Sequence, residues 1–257
     1  MPQSSLRRAD RVSAILDRVA SHGSVDAGHL ADEFRVSPAT IRRDLQVLAD
    51  QRLLARTHGG AIANGVLFEL PLRYRSARRQ EQKARIAQVA AERVPEGAAI
   101  GMTGGTTTTE CARALSDRRR LTVVTNSLNI ASELAVRPNL KLVVTGGVAR
   151  PESYELVGPL AEASLSGLYL DIVLVGVDGI AVGAGLTTHH EVEAHTNRAL
   201  IARARRVVVV ADSSKIGQIA FARICGLEAV HEVISDTGAD RSEVAALRAA
   251  GATVTLV

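Results

Sequence analysis

Apolar residues recur at helical spacing from Arg7 to about Gly23, with Val12, Ile15, Leu16 and Val19 on one face and Gly23 closing the run. Ser24 and Val25 lead into a shorter helix, Asp26 to Phe34, which carries Leu30 and Phe34 on one side. Arg35, Val36 and Ser37 break the pattern before a third helix, Pro38 to about Gln51. Ser37 suits the N-cap of that helix, and Pro38 fits its first position, where a missing N–H is no loss. Ile41, Leu45 and Leu48 make its buried stripe, which turns Ala39, Thr40, Arg42, Arg43 and Gln46 toward solvent. Leu53 to Ile62 reads as a hairpin with Gly59 and Gly60 at its turn.

From about Ala98 the rhythm changes to strand, loop and helix, repeated. Apolar runs Ala98–Met102, Leu121–Thr125, Leu140–Thr145, Ile172–Val177 and Val207–Ala211 alternate with amphipathic helical segments, and Glu232–Ser235 and Thr253–Val257 are later, shorter strands. This predicts a mostly parallel sheet covered on both faces. Between the two patterns Arg73, Arg75, Arg78, Arg79, Lys83 and Arg85 cluster, with only Glu81 opposing them. That stretch reads as a linker running into the first helix of the next domain, its charges either a solvated helix face or contacts to phosphates.

Composition narrows the class without naming a function. The 257 residues allow two domains, and 46% hydrophobic content supports a sizeable core. Aromatics are only 2% with no Trp, so that core is aliphatic. No apolar run approaches the roughly 18 residues of a membrane span. The opening MPQSSLRRADR lacks the apolar stretch of a secretory signal, so a cytoplasmic protein is expected. Cys111 and Cys225 have no neighbours at zinc-ligand spacing and read as reduced core thiols. The net charge of +4 is small, so the placement of the basic residues matters more than their number.

Helix, short helix, tight turn, capped helix and Gly-tipped hairpin together predict a winged helix-turn-helix. Its third helix would lie in the major groove of double-stranded DNA. The candidate DNA-binding set is Ser37, Ala39, Thr40, Arg42, Arg43 and Gln46, with Arg56, Thr57, His58 and Gly59 of the hairpin near the adjacent backbone. Arginine suits this place because its planar fork grips guanine or phosphate in bidentate fashion.

In the second pattern, five loops follow strands. Thr103-Gly104-Gly105-Thr106-Thr107-Thr108 opens a helix, and its backbone N–H groups and hydroxyls suit an anion such as phosphate. Asn126, Gly146-Gly147, Asp178-Gly179 and Lys215 stand in the others. Ligands of open α/β sheets gather at the carboxyl ends of strands, so these loops are expected to share one site. Asn126 and Asp178 would bond sugar hydroxyls, and Lys215 would pair with phosphate. The chain has neither a Walker lysine nor a dinucleotide GxGxxG fingerprint, and no cofactor is expected. His190 and His195 are five apart, about 140° around a helix, which does not align them on a metal. Glu191 and Glu193 beside them read as a polar pocket rim or helix start.

The residues that carry these readings resemble one family. Ser37-Pro38-Ala39-Thr40-Ile41-Arg42-Arg43-Asp44-Leu45 with Arg56-Thr57-His58-Gly59-Gly60-Ala61 is similar to the signature of DeoR-type regulators. The likeness continues through Gly105 to Thr108, Val124 to Ser127, Gly146-Gly147 with Arg150-Pro151-Glu152, Leu156 to Pro159, Gly185 to Thr188 and Ala211 to Lys215. It implies that Thr40, Arg42 and Arg43 face an operator. It also implies an α/β sensor domain related to sugar-phosphate isomerases and CoA transferases, with a phosphorylated sugar or similar catabolite as effector, and repression of carbohydrate or related catabolic genes. Thr103 stands where many members have Asp, and Asp178 where Ser is common; both bear on which effector is bound. Glu191 and Glu193 match acidic positions of the family.

The expected organisation is a DNA-binding domain over residues 1–65, a basic linker over 66–80 and an effector-sensing α/β domain over 81–257, in a homo-oligomer that pairs half-sites. The effector set includes Glu191 beside the loop residues above. The main alternative is a sugar-phosphate isomerase-like enzyme with an appended DNA-binding domain. No acid/base pair is placed by spacing, so no catalytic residue is named. A nucleotide-cofactor protein is disfavoured by the missing fingerprints.

Overall fold

Capping chemistry and apolar spacing set the first elements of the computed structural model, which describes residues 8–51, 53–63, 72–76 and 78–257. Helix α1 (Arg8–His22) is followed by strand β1 (Ser24–Asp26), α2 (Ala27–Phe34) and α3 (Pro38–Asp50). Strands β2 (Leu54–Arg56) and β3 (Gly60–Ala63) follow, and then α4 (Leu72–Arg75). Asp26 caps α2 by accepting from Gly28 N and His29 N, and Ser37 caps α3 by accepting from Thr40 N. Ile15, Leu16, Leu30, Phe34, Ile41, Leu45, Leu48 and Leu54 close one aliphatic core among these elements.

Three details differ from the sequence reading here. Ser24–Asp26 is a strand, pairing antiparallel with β3 so that the hairpin becomes a three-stranded sheet ordered β1-β3-β2. Gly60 belongs to β3 and not to the turn. A Cβ there would lie 1.8 Å from Val25 O, so only glycine allows the strands to approach. The helix α4 lies within the stretch expected to be linker, and Ser13 Oγ donates to Tyr74 O, 2.8 Å away. Residues 66–71 of that expected linker, and Arg7, lie outside the described residues.

The chain divides into two units between Arg78 and Arg79. In the second, α5 (Gln80–Glu92), β4 (Ala99–Met102), α6 (Thr106–Leu115), β5 (Thr122–Thr125), α7 (Leu128–Leu134) and β6 (Lys141–Val144) come first. A hairpin of β7 (Val148–Arg150) and β8 (Glu155–Val157) leads to α8 (Pro159–Leu165) and β9 (Leu170–Val175). Then come β10 (Gly179–Ala181), β11 (Gly185–Thr188), α9 (Glu191–Ile201), β12 (Ala204–Val210) and β13 (Ala222–Cys225). The chain ends with β14 (Glu232–Ser235), α10 (Arg241–Ala249) and β15 (Thr253–Leu256). Seven strands form one parallel sheet in the order β15-β14-β12-β9-β4-β5-β6.

Alternation along the strands feeds two cores. Ile172 and Leu174 of β9 join Ile86, Ala90, Leu115 and Ile130 from α5, α6 and α7. Val173 and Val175 join Leu165, Leu200 and Leu247 from α8, α9 and α10. This is the covered sheet that the apolar runs predicted. Chain progress from β4 runs one way through β5 and β6, and the other way through β9, β12, β14 and β15. The direction therefore switches between β4 and β9, the position at which sheets of this kind bind ligands beyond the strand ends.

The basic stretch is no uniform solvated face. Lys83 is buried on α5, Arg78 pairs with Asp17, and Arg79 Nη1 donates to Ser213 Oγ at 2.7 Å. Both cysteines are free thiols; burial, with Glu228 nearby, pushes Cys225 up to about 11, and burial raises Cys111 as well. Among the described residues no helix is long and apolar enough to cross a membrane.

Candidate functional site

Helix α3 presents two different faces. Ile41, Asp44, Leu45 and Leu48 are buried, while Ala39, Arg42, Arg43 and Gln46 are exposed and Thr40 is half-buried. Thr40 Oγ1 lies 2.9 Å from Ser37 Oγ, and Gln46 Nε2 donates to Asp50 Oδ1 at 2.9 Å. Among the described residues, Arg42 and Arg43 have no protein partner, so both guanidinium forks remain available to a ligand. Arg56, Thr57, His58 and Gly59 are exposed around the wing turn. Thr57 Oγ1 accepts from Gly60 N, and Gly59 O accepts from Ala27 N, which ties the wing to the start of α2. A capped helix with an open pair of arginines beside a basic wing has the chemistry to grip phosphates and base edges.

In the second unit the Gly-Thr loop lies at the switch point. Thr103 is fully buried and ties the loop after β4 to the loop after β9, its Oγ1 accepting from Gly176 N at 2.9 Å. Gly105 starts α6 at φ 132° with no side-chain cap. Thr108 and Thr109 donate their hydroxyls to Gly105 O, at 3.0 and 2.7 Å. The hydroxyls of Thr106 and Thr107 are uncommitted among the described residues. The N-terminal dipole of α6 therefore keeps its donors open to an anion.

Around this loop stands a polar cluster drawn from distant segments. Asn126 Nδ2 donates to Glu155 Oε2 at 3.0 Å and to Asn197 Oδ1 at 3.2 Å. Asn126 Oδ1 is buried and has no partner. Arg150 Nη1 lies 2.6 Å from Glu193 Oε1, and Lys215 Nζ lies 3.7 Å from Asp178 Oδ1. Thr188 Oγ1 contacts both Asp178 Oδ2 and Glu193 Oε2. Burial, then the nearby Glu193, holds the Glu155 carboxyl well above the usual carboxylate range, although Asn126 and Asn197 pull the other way.

Thr103, Gly104, Asn126, Asp178 and Lys215, named from the sequence, thus lie in or against this contact network, with Gly104 lying under the carboxyl of Glu155. Gly179 begins β10, where a Cβ would meet Gln218 O at 2.4 Å. Gly146 donates to Ser164 Oγ, and Gly147 packs on Val157, so this pair turns β6 into the β7–β8 hairpin. Glu191 is exposed at the first position of α9, and Glu193 is the acidic residue that enters the cluster. His190 caps α9 by accepting from Val192 N, and His195 is exposed. Sequence reasoning missed Glu155 and Asn197 as site residues. They lie 29 and 71 positions from Asn126, and no local pattern links them.

A winged helix-turn-helix followed by a doubly wound α/β unit is the architecture of a two-domain transcription regulator. The chain belongs to the DeoR family: the DeoR-like helix-turn-helix domain matches residues 11–65 and the DeoR C terminal sensor domain matches residues 78–237. It is 34% identical over 231 residues to the glycerol-3-phosphate regulon repressor of Escherichia coli (strain K12), covering 90% of this chain and 92% of that one. It is 34% identical over 231 residues to the transcriptional repressor AccR of Agrobacterium fabrum, covering 89% and 90%. Among solved structures, ribose 5 phosphate isomerase A from Neisseria gonorrhoeae matches 52% of each chain at 20% identity and a TM-score of 0.38.

Proposed function

We propose that this protein represses carbohydrate or related catabolic genes by binding operator DNA as a homo-oligomer, and that a phosphorylated sugar or similar metabolite releases it. The reading rests above all on the switch-point site, where the open N-terminus of α6 stands near a cluster holding Lys215 and Arg150. The name of the Escherichia coli relative, with its phosphate ester, agrees with that chemistry. Release follows from linkage: an effector that prefers the DNA-incompetent arrangement weakens operator affinity, typically by about 1–3 kcal/mol. Winged helices gain affinity by pairing half-sites, which is the reason to expect more than one copy on the DNA.

The test is operator binding by the purified chain on its own upstream DNA, with matched sugars and sugar phosphates. Release by one phosphorylated member, and not by its unphosphorylated form, is the expected result. Lys215→Ala is expected to abolish that response while leaving operator binding in place. Indifference to every member would remove the effector reading.

The raised carboxyl of Glu155 favours a second reading, a sugar-phosphate isomerase with an appended reader, because such a group is suited to moving protons. Conversion of any panel member by the purified chain would establish it. The open arginines of α3 favour the regulator, and we infer that the protein is not an enzyme.

A further inference from the structure

The charged groups of the switch-point site do not balance one to one. Four carboxyl groups, Glu152, Glu155, Asp178 and Glu193, meet two cations, Arg150 and Lys215. Arg150 from β7 takes Glu193 of α9, with Glu152 a further 3.7 Å contact of Arg150. Lys215, from the turn after β12, takes Asp178 of the loop after β9. Glu155 of β8 is left facing neutral partners: Asn126 from the loop after β5 and Asn197 of α9. Thr188 of β11 bridges the Asp178 and Glu193 carboxylates, His189 N donates to Asp178, and His190 is committed to capping α9. Among the described residues, Glu155 is therefore the carboxyl group of this cluster that has no cation partner.

The place of that odd carboxyl group is specific. A Cβ on Gly104 would lie 2.3 Å from Glu155 Oε1, so the carboxyl rests directly on the backbone of the Gly-Thr loop. Its other oxygen is held by Asn126, whose own Oδ1 is buried and unpartnered beside it. A buried oxygen with no donor points to a hydroxyl supplied from outside the chain.

We propose that Glu155 and Asn126 form the specificity-determining subsite for the effector: the Glu155 acid group donates a hydrogen bond to an oxygen of the anion at the Gly104–Gly105 loop, and Asn126 Oδ1 accepts from a neighbouring hydroxyl of the same molecule. The ligand class is a polyhydroxylated phosphate ester with a hydroxyl close to its phosphate-bearing end. This rests on the effector reading of the same site. Burial, then the nearby Glu193 and Asp178 carboxylates, favours the protonated form of Glu155. An ionised Glu155 would repel the anion, so binding and proton retention are linked.

The test is calorimetric titration of the full chain with glycerol 3-phosphate, ribose 5-phosphate, fructose 6-phosphate and inorganic phosphate. The pH is stepped upward from 7, where each ester is already largely dianionic. The expected result is ester binding that weakens as the pH climbs, approaching about tenfold per unit once Glu155 ionises. Glu155→Gln keeps a donor, and is expected to bind with a flat pH profile. Glu155→Ala is expected to lose about tenfold or more, and Asn126→Asp to lose preference for the ester over inorganic phosphate. Circular dichroism melts of each variant separate misfolding from loss of binding. Wild-type binding matched by Glu155→Ala, or a pH profile shared by wild type and Glu155→Gln, would overturn this inference alone. Failure of the wild type to bind any ester at any pH would overturn it together with the effector reading.

Discussion

Arg11 Nε lies 2.7 Å from Asp44 Oδ2, with both side chains buried between α1 and the helix that carries the open arginines. Arg8 reaches the other oxygen of Asp44 from an exposed position, at 3.5 Å. Removing Asp44 strips a buried cation of its carboxylate, a loss of about 3–5 kcal/mol. Arg8→Ala removes only an exposed partner, worth under about 1 kcal/mol. Denaturant melts of the full chain should show Asp44→Ala lowering the stability of the N-terminal unit far more than Arg8→Ala. Equal, small effects would mean that the buried pair does not hold α3 in place.

The exposed pair on α3 should behave in the opposite way. Arg42→Ala and Arg43→Ala leave the core untouched, so folding is expected to stay within about 0.5 kcal/mol. Operator affinity should fall by about 1–3 kcal/mol for a base-reading arginine. A phosphate-gripping one should instead lower the salt slope of binding by about one. Gel-shift titrations over a range of salt distinguish the two. Unchanged affinity in both variants would remove α3 from the groove.

Two glycines predict unlike failures. At Gly60 the obstructing atom is the backbone oxygen of Val25, 1.8 Å from a built Cβ, and it is held in strand pairing. Gly60→Ala is expected to cost roughly 3 kcal/mol or more and to loosen the β1–β3 ladder. At Gly104 the obstruction is the end of the Glu155 side chain, which can swing away. Gly104→Ala should therefore melt nearly as the wild type does, yet lose ester binding. A strong destabilisation at Gly104 would show the loop to be more rigid than this contact implies.

Acid should act on the helix starts. His29 N and Gly28 N hold Asp26 below its ordinary value, and the Ser242 hydroxyl and backbone N–H groups do the same for Asp240. Burial pushes Asp236 upward, but hydrogen bonds from Ser213 and Gly238 outweigh it and leave this group lowered too. A depressed folded value means that the stabilisation is complete above the unfolded value of about 3.9 and is lost as the pH falls through the folded one. Thermal melts should therefore be insensitive to these groups from pH 5 to 7 and decline below about pH 4. In Asp26→Asn and Asp240→Asn the decline should be shallower.

Long, strongly apolar segments were legible in the sequence. Strands β9 and β12 of the large sheet end in the apolar runs Ile172–Val175 and Val207–Val210, leading into loops that carry glycine or polar residues, and Ser37-Pro38 marks the start of α3. Three-residue strands were not: Ser24–Asp26 is too short to alternate, and it becomes a strand only because β3 lies alongside. Lys83 reads as a solvated cation, yet it is buried on α5. At the site, the loops after β4, β5, β9 and β12 were found because strand ends share one rim. Glu155 was not, since its place depends on a hairpin folding back onto Gly104.

The near absence of aromatic residues has a practical side. With no Trp, and three Tyr as the main chromophores, the chain is almost dark in the near ultraviolet. Every indole added to it would be seen against an empty background. Tyr154 offers a place: it sits in the β7–β8 turn at φ 57°, next to Glu155, with its carbonyl fixed by Leu128 N. In Tyr154→Trp, one emission band would follow the surroundings of that carboxyl group, and optical titration would need no label.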